Sequence, residues 1–377
     1  MLDLIESRYD RQERISWWDQ SKLRAARVLV VGAGALGNEI VKNLALVGVG
    51  QIDIVDMDSI EGSNLARCAL FRDSDRGRPK AEALAHAAAE MNPEVRLAAY
   101  VCSVQQLGAA WLLQYDVVIA GLDSREARLW LNASCRRMGM HWIDGAIEGL
   151  QGIVRVFGPE GACYDCTLGE KDRAVISHRR SCALLSPEEL ASGKTPTNAT
   201  TASVVAGLEV QEAIKMIVGR LDLLALTGKV WRLDGETMMT SVVEYTEDQD
   251  CMSHELVETW ISTPAEYASL QDVITQVELA RNCPVDAVYF PDDVITVEPC
   301  AKCGGGEQVI GLRPLLSLGA GRCGSCASAL RMESRTSIDT TDDLSSVAWD
   351  RWLWPRREAI SLRVGDEYVH VILEGRS

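Results

Sequence analysis

Gly32-Ala33-Gly34-Ala35-Leu36-Gly37 is a G-x-G-x-x-G run placed directly after an apolar stretch, residues 27–31, and at the head of a segment with helical spacing. Glycines there permit a tight turn and close approach of a phosphate, and the helix N-terminus offers free N–H donors and a positive dipole end. Asp56 follows Gly37 by about twenty residues, where an acidic side chain would hold ribose hydroxyls. These features alone fit any nucleotide, NAD included, or a glycine turn without a ligand. The residues that follow suit a triphosphate better. Asp56-Met57-Asp58 leads into Ser63-Asn64-Leu65-Ala66-Arg67 and then Gly77-Arg78-Pro79-Lys80. Arg67 and Lys80 are cations of the kind that neutralise charge on departing pyrophosphate, which a dehydrogenase does not need. Asp123 stands just past the apolar residues 117–120, and a carboxylate at a strand's C-terminal end suits Mg²⁺.

Twelve cysteines carry a second chemistry. Cys163 and Cys166, Cys300 and Cys303, and Cys323 and Cys326 form C-x-x-C pairs, and Cys251 and His254 form C-x-x-H. Zinc takes four N or S ligands in a tetrahedron, and one C-x-x-C turn supplies two of them. Four pairs make two closed, structural Zn²⁺ sites. Cys300 and Cys303 pair with Cys323 and Cys326 as a zinc ribbon, which leaves Cys163 and Cys166 for Cys251 and His254. Joining Cys163 and Cys166 to Cys300 and Cys303 stays open but orphans the last pair. Cys182 lies in Ser177-His178-Arg179-Arg180-Ser181-Cys182, where cationic neighbours would lower its pKa and raise its thiolate fraction. Cys68 and Cys135 are its rivals, and both sit in the nucleotide-binding half.

The elements that must position these residues follow from periodicity. Residues 27–31, 52–55, 95–101 and 117–120 read as strands, and residues 37–47, 79–90 and 124–138 as helices, the last capped by Ser124. Strands alternating with helices give a doubly wound, mainly parallel α/β sheet, Rossmann-like, covered on both faces. Beyond Gly149 the pattern changes to a strand at 151–157, a long apolar helix at 199–218 capped by Asn198 or Thr197, and antiparallel strands at 230–233 and 240–245. A boundary is expected near 254–264. The smaller C-terminal domain bears the zinc ribbon and ends in a strand at 368–373. Its polar stretch, residues 334–344, is expected to be an exposed linker. Trp349, Trp352 and Trp354 make either an aromatic anchor for a partner or part of a core.

The 377 residues hold 38 Lys and Arg against 54 Asp and Glu, a net charge of −16, which disfavours nucleic acid and anionic membranes as partners. No apolar run reaches the roughly 18 residues of a membrane span, and the first residues lack a signal-peptide pattern. The expectation is a soluble, cytoplasmic protein whose thiols serve metal or catalysis rather than disulfides.

Taken in order, Arg8-Tyr9-Asp10-Arg11-Gln12, G-x-G-x-x-G, D-x-D, S-N-L-x-R, G-x-P-K and the strand-end Asp123 resemble the E1-like superfamily: ubiquitin-activating enzymes and the bacterial activators of sulfur-carrier proteins of the ThiF–MoeB type. The resemblance spans roughly residues 8–255. It implies an adenylation domain over 1–255. Residues 256–377 lie outside the resemblance; this further domain is expected to dock an E2-like carrier or the modifier, with a dimer-stabilising or purely structural appendage as the alternative. The resemblance places Mg·ATP over Gly32, Gly34 and Gly37, with Asp56 on the ribose, Arg67 and Lys80 on the phosphates, Asp123 on the metal and Asn64 lining the pocket. Arg11 would reach the ATP of the other subunit of a homodimer. The C-terminal carboxylate of a ubiquitin-like, β-grasp protein then attacks the α-phosphate, giving an acyl-adenylate. In single-domain members a cysteine in the loop where Cys182 lies takes the acyl group from the adenylate as a thioester, which implies Cys182 as the catalytic thiol and transfer to an E2-like enzyme; several sulfur-carrier activators stop at the adenylate, so a sulfur-carrier or peptide adenylyltransferase without an enzyme thioester is the alternative. Bacterial members set beside E2-like genes have been linked to antiviral defence. Cys68 replaces a usual Gln and Ser124 a common Asn, and neither change removes a needed charge. A nicotinamide oxidoreductase and an idle nucleotide-binding scaffold are the competing classes.

Overall fold

The structure, a computed structural model, describes residues 7–169, 196–254, 257, 260–262, 269–317 and 320–374. Its contacts divide the chain into two compact units. The first holds the described residues up to Val104, Leu112–Leu168 and those from 196 to 254; the second holds Gln105–Trp111, Gly169 and those from Val257 onward.

In the first unit, α1 (Gln20–Ala25) is capped by Asp19, whose carboxylate accepts the N–H groups of Ser21 and Lys22. β1 (Arg27–Val31), α2 (Ala35–Val47), β2 (Gln51–Val55), α3 (Lys80–Met91) and β3 (Arg96–Tyr100) alternate as expected. After the short α4 (Val104–Leu107), which from Gln105 on belongs to the second unit, come β4 (Val117–Ala120), α5 (Arg125–Arg137), β5 (Trp142–Glu148) and β6 (Gln151–Phe157). The unit closes with α6 (Ala199–Val218), β7 (Lys229–Asp234) and β8 (Met239–Glu244). The sheet order is β3-β2-β1-β4-β5-β6-β7-β8. The first five strands run parallel and the remaining pairings are antiparallel.

Strand order reverses between β1 and β4, and such a switch point opens a crevice at the strands' C-terminal ends. β1 is apolar without alternation because both its faces are covered: Val28, Leu29 and Val30 are completely buried. Each such side chain contributes about 1.5–3 kcal/mol of burial free energy. α2 lays Leu36, Ile40 and Leu44 into the same core as Ile52 and Ile54. α6 forms where Ala202, Val205, Ala206, Val210 and Ala213 recur on one buried face. Asn198 is its cap, accepting the N–H of Thr201 at 2.9 Å, and Gly219 ends it in the left-handed region at φ +81°.

In the second unit, β9 (Trp260–Ser262) precedes α7 (Leu270–Arg281), β10 (Ala287–Val297), β11 (Val309–Leu312), β12 (Met332–Asp339), β13 (Trp352–Leu353) and the hairpin of β14 (Arg357–Val364) and β15 (Glu367–Glu374). α7 buries Leu270, Val273, Ile274 and Val277 in a core shared with Val288, Leu312, Leu362 and Val371. Gln105–Trp111 joins this unit through Ala109, whose N–H donates to Glu358 at 3.0 Å, and through the Gln106 carbonyl, which accepts from the Arg356 N–H at 2.9 Å.

The expected linker at 334–344 is corrected. Most of it is β12, antiparallel to β10, with Ile338, Leu344 and Ser345 buried. Its polarity reflects a strand with one wet side rather than a tether, and its Asp/Thr run makes a turn in which Asp339 accepts the Thr341 N–H and Asp342 that of Leu344. Trp349 and Trp352 are buried, with ring centroids 5.4 Å apart, and Phe290 and Trp354 pack on them, so the tryptophans are core.

Candidate active site

The glycine loop lies at the C-terminal end of β1. Gly32 has φ +98°, and a Cβ there would come within 2.7 Å of the Gly121 carbonyl oxygen. A Cβ on Gly37 would meet the Gly32 carbonyl oxygen at 1.9 Å, so both glycines are required by close backbone approach. Gly34, which caps α2, has no atom within 4 Å of the corresponding position. Its side of the loop is open to a ligand, with the N–H groups of the helix's first turn behind it.

Asp56 ends the neighbouring strand. Its carboxylate accepts the Ala33 N–H at 2.7 Å and the Asp58 N–H at 2.8 Å. Burial nevertheless raises its pKa above the ordinary carboxylate value; those two bonds and the Lys80 charge oppose the shift. Asn38, fully buried, was not foreseen. Its amide donates to the carbonyls of Ala33 and Gly34 at 3.0 and 3.1 Å, and its oxygen accepts the Leu70 N–H at 3.1 Å. It therefore braces the glycine loop against the segment that carries Arg67.

That segment is a tight turn in which buried Asn64 accepts the Glu61 N–H at 2.8 Å, and the Asn64 carbonyl accepts the N–H groups of Arg67 and Cys68. Lys80 opens α3, and its ammonium donates to Asp58 at 2.7 Å. Burial pulls the Lys80 pKa down, but the bond to Asp58 and the charges of Asp56, Asp58 and Asp123 outweigh it and raise the pKa above the usual lysine value. Cys68 is pushed up to about 11 by burial, with the charges of Arg67 and Lys80 opposing. Burial also raises Cys135 strongly. Both rival thiols are thus protonated and non-nucleophilic near neutrality.

Asp123 is exposed on the loop after β4, close enough for its charge to act on Lys80. The described contacts bring the glycine loop, Asp56, Lys80 and Asp123 together at the strand ends, and Asn64 and Arg67 lie on the neighbouring turn that Asn38 ties to the loop through Leu70. Arg11, exposed at the head of the turn Gln12–Arg14, is not among the residues whose described contacts converge there. Cys182 lies outside the described residues.

Beneath the crevice is a buried ionic group that sequence reasoning also missed. Arg128 Nε donates to Asp144 at 2.7 Å, and its Nη2 donates to the carbonyls of Leu122 and Gly145 at 2.5 and 3.1 Å. Arg155 Nε donates to the other Asp144 oxygen at 2.9 Å, and its Nη2 donates to the same atom.

The thiols form two clusters. Cys163, Cys166, Cys251 and His254 bring their ligand atoms within 4.8 Å of one another, as do Cys300, Cys303, Cys323 and Cys326. This excludes the alternative grouping of Cys163 and Cys166 with Cys300 and Cys303. Cys163 Sγ stands 3.7 Å from the sulfurs of both Cys166 and Cys251, and Cys166 Sγ is 3.2 Å from His254 Nε2. In the other cluster Cys300–Cys326 and Cys303–Cys323 are each 3.6 Å apart. A tetrahedron with Zn–S bonds of about 2.3 Å has edges of about 3.8 Å, so both donor sets fit a four-coordinate metal.

The sequence matches the ThiF family over residues 9–253. The chain belongs to the ThiF family. It is 32% identical over 263 residues to the SAMP-activating enzyme E1 of Haloferax volcanii, covering 66% of this chain and 90% of that protein. To the NEDD8-activating enzyme E1 catalytic subunit of Caenorhabditis elegans it is 38% identical over 160 residues, 39% of this chain but only 37% of that one. The chain therefore spans little more than a third of the latter relative. Its fold resembles the crystal structure of E. coli MccB with ATP at a TM-score of 0.55 and 23% identity, covering 67% of this chain and 75% of that one. ThiF-family membership agrees with the doubly wound sheet and with the motif order. Among the described residues, no helix is long and apolar enough to cross a membrane.

Proposed function

We propose that this ThiF-family chain uses ATP to activate a ubiquitin-like, β-grasp protein by adenylating its C-terminus, and then carries it as a thioester on Cys182 for transfer to an E2-like enzyme. The observation that carries the reading is the placement of Lys80. It stands among Asp56, Asp58 and Asp123 beside a glycine loop whose Gly34 side is open. A nicotinamide site has no use for a held cation at this edge, whereas phosphoryl chemistry needs one.

Each residue then has a role. Asp56 holds the ribose and keeps the loop closed through Ala33. The backbone at Gly34 and the first turn of α2 receive phosphate oxygens, with Asn64 lining the pocket. Arg67 and Lys80 neutralise charge developing towards pyrophosphate. Asp123 would hold magnesium, which would supply further charge neutralisation on the triphosphate. Arg11 would serve the nucleotide of the second subunit of a homodimer. Nucleophilic attack by the partner's terminal carboxylate on the α-phosphorus forms the C–O–P anhydride and breaks the bond to the β-phosphate.

Cys163, Cys166, Cys251 and His254 would hold one zinc ion, and Cys300, Cys303, Cys323 and Cys326 a second. Neither set leaves an open position, so both are structural. We assign 1–255 to adenylation and 256–377 to docking of the carrier or the modifier, in the cytoplasm. The Haloferax relative named as an E1 for SAMP supports the substrate class.

The test is a non-reducing gel of the full chain with ATP and a β-grasp protein. The reading expects an adduct that thiol reductant removes and Cys182→Ala abolishes, with adenylate formation retained. An adduct that survives Cys182→Ala overturns the thiol assignment. Adenylate without any adduct in the parent chain makes the protein a sulfur-carrier or peptide adenylyltransferase instead.

A further inference from the structure

We infer that Arg128 is a positioning residue for Asp123, acting through the Leu122 carbonyl rather than by touching nucleotide. The inference rests on the proposed role of Asp123 at the magnesium of a bound nucleotide.

Arg128 is only 6% exposed. Buried arginine donors need acceptors, and a partner carboxylate alone would satisfy the charge. Here Asp144 takes Nε, while Nη2 is turned to the strand-end carbonyl of Leu122 at 2.5 Å and to that of Gly145 at 3.1 Å. The Leu122 carbonyl belongs to the peptide unit whose N–H is that of Asp123. Fixing that oxygen fixes the plane from which the Asp123 side chain departs.

The anchor is itself immobilised. Asp144 and Arg155 are direct partners in the β5–β6 register, and Arg155 holds the Asp144 oxygen that Arg128 does not use. Asp144 is fully buried. The loop is pinned on both sides of Asp123 as well. Gly121 N–H donates to the Val31 carbonyl at 2.9 Å, and the Ser124 hydroxyl accepts the Ala127 N–H at 3.2 Å as the cap of α5. Asp123 is thus an exposed carboxylate between fixed neighbours, as a metal-orienting group must be.

Binding of a fluorescent, non-hydrolysable ATP analogue to the full chain tests this, with Mg²⁺ titrated from zero. Loss of a group that orients a metal ligand costs about 10- to 100-fold in metal affinity. Arg128→Lys keeps the charge but not the fork, so we expect a rise of about tenfold in the Mg²⁺ needed for half-maximal binding, and up to about 100-fold for Arg128→Ala. Asp144→Asn, which loosens the anchor and leaves Arg128 in place, should shift the requirement in the same direction. Binding of the analogue without metal should stay as in the parent. If Arg128→Ala fails to fold, Arg128→Lys decides. An unchanged Mg²⁺ requirement in Arg128→Lys, or equal loss of metal-free and metal-dependent binding, overturns the inference. A parent chain that binds the analogue with no response to Mg²⁺ overturns the magnesium role of Asp123 on which the inference rests, and a parent chain that does not bind the analogue overturns the nucleotide reading, which are separate outcomes.

Discussion

Lys80 donates to Asp58 twice, through its ammonium at 2.7 Å to the carboxylate and through its backbone N–H at 2.9 Å to the carbonyl. The cation is therefore presented by two tethered segments, the acidic turn after β2 and the first turn of α3, and needs little reorganisation to meet a phosphate. Lys80→Ala should lower pyrophosphate exchange by about 10²- to 10³-fold, the range found when a preorganised charge-stabilising donor is removed. The KM for ATP should move less than kcat. Steady-state exchange kinetics check this, and a change confined to KM would mean that Lys80 only binds ground-state nucleotide.

Asn38→Ala removes the brace between the glycine loop and the segment after Arg67. It leaves the Ala33 carbonyl and the Leu70 N–H without their side-chain partner in a buried place, while the Gly34 carbonyl keeps the backbone N–H of residue 38. A loss of about 1–3 kcal/mol is expected from a buried polar group left unsatisfied. Urea unfolding measures it, and a parallel fall in nucleotide affinity should accompany it. Unchanged stability would show that the loop holds its shape without this side chain.

Glu209, on the buried face of α6, lies against Gly145, where a Cβ would come within 2.5 Å of its carboxyl carbon. Burial raises its pKa well above the ordinary glutamate value; the Asp144 charge adds to the rise, and Arg128 and the Gly145 N–H oppose it. An acid with a raised folded-state pKa binds its proton more tightly when folded. Its stabilisation is complete below the unfolded value of about 4.3 and is lost as pH rises through the folded value. Glu209→Gln should therefore match the parent near pH 4 and grow more stable than it as pH rises, by up to about 1.4 kcal/mol per pH unit. Melting temperatures of both proteins across pH 4–8 test the sign. A constant difference would show that Glu209 titrates normally.

Metal analysis of the full chain should find two zinc ions per chain. A structural zinc contributes on the order of 10 kcal/mol to a small domain, so Cys303→Ser should halve the zinc content and destabilise the second unit selectively. A ratio near one in the parent would remove one of the two sites.

Local order carried most of what could be read in advance. The glycine loop, Asp56, Lys80 and Asp123 sit at strand ends and first helical turns, where short motifs and periodicity coincide. The pairing of cysteines followed from spacing. What escaped was set by distant contacts. Arg128 shares its helix face with Leu131, Asn132 and Cys135, all buried, and a charge at that spacing is the signal that a buried acceptor must exist. Which one, Asp144, depends on β5 lying beside β4. Glu209 was hidden in an apolar helical pattern, and Asn38 in the glycine motif. β12 reads as a linker from sequence alone because its polar residues report on its wet side, whereas its pairing with β10 is non-local.

The proposed function requires that ATP be opened between its α- and β-phosphates for a protein's C-terminus. Isotope exchange between pyrophosphate and ATP, measured on the purified full chain with and without a β-grasp protein ending in glycine, tests that directly. We expect exchange that requires the partner and Mg²⁺ and that is lost in Asp123→Ala, a variant that stays folded. No exchange with any such partner, together with no measurable ATP binding, would contradict it.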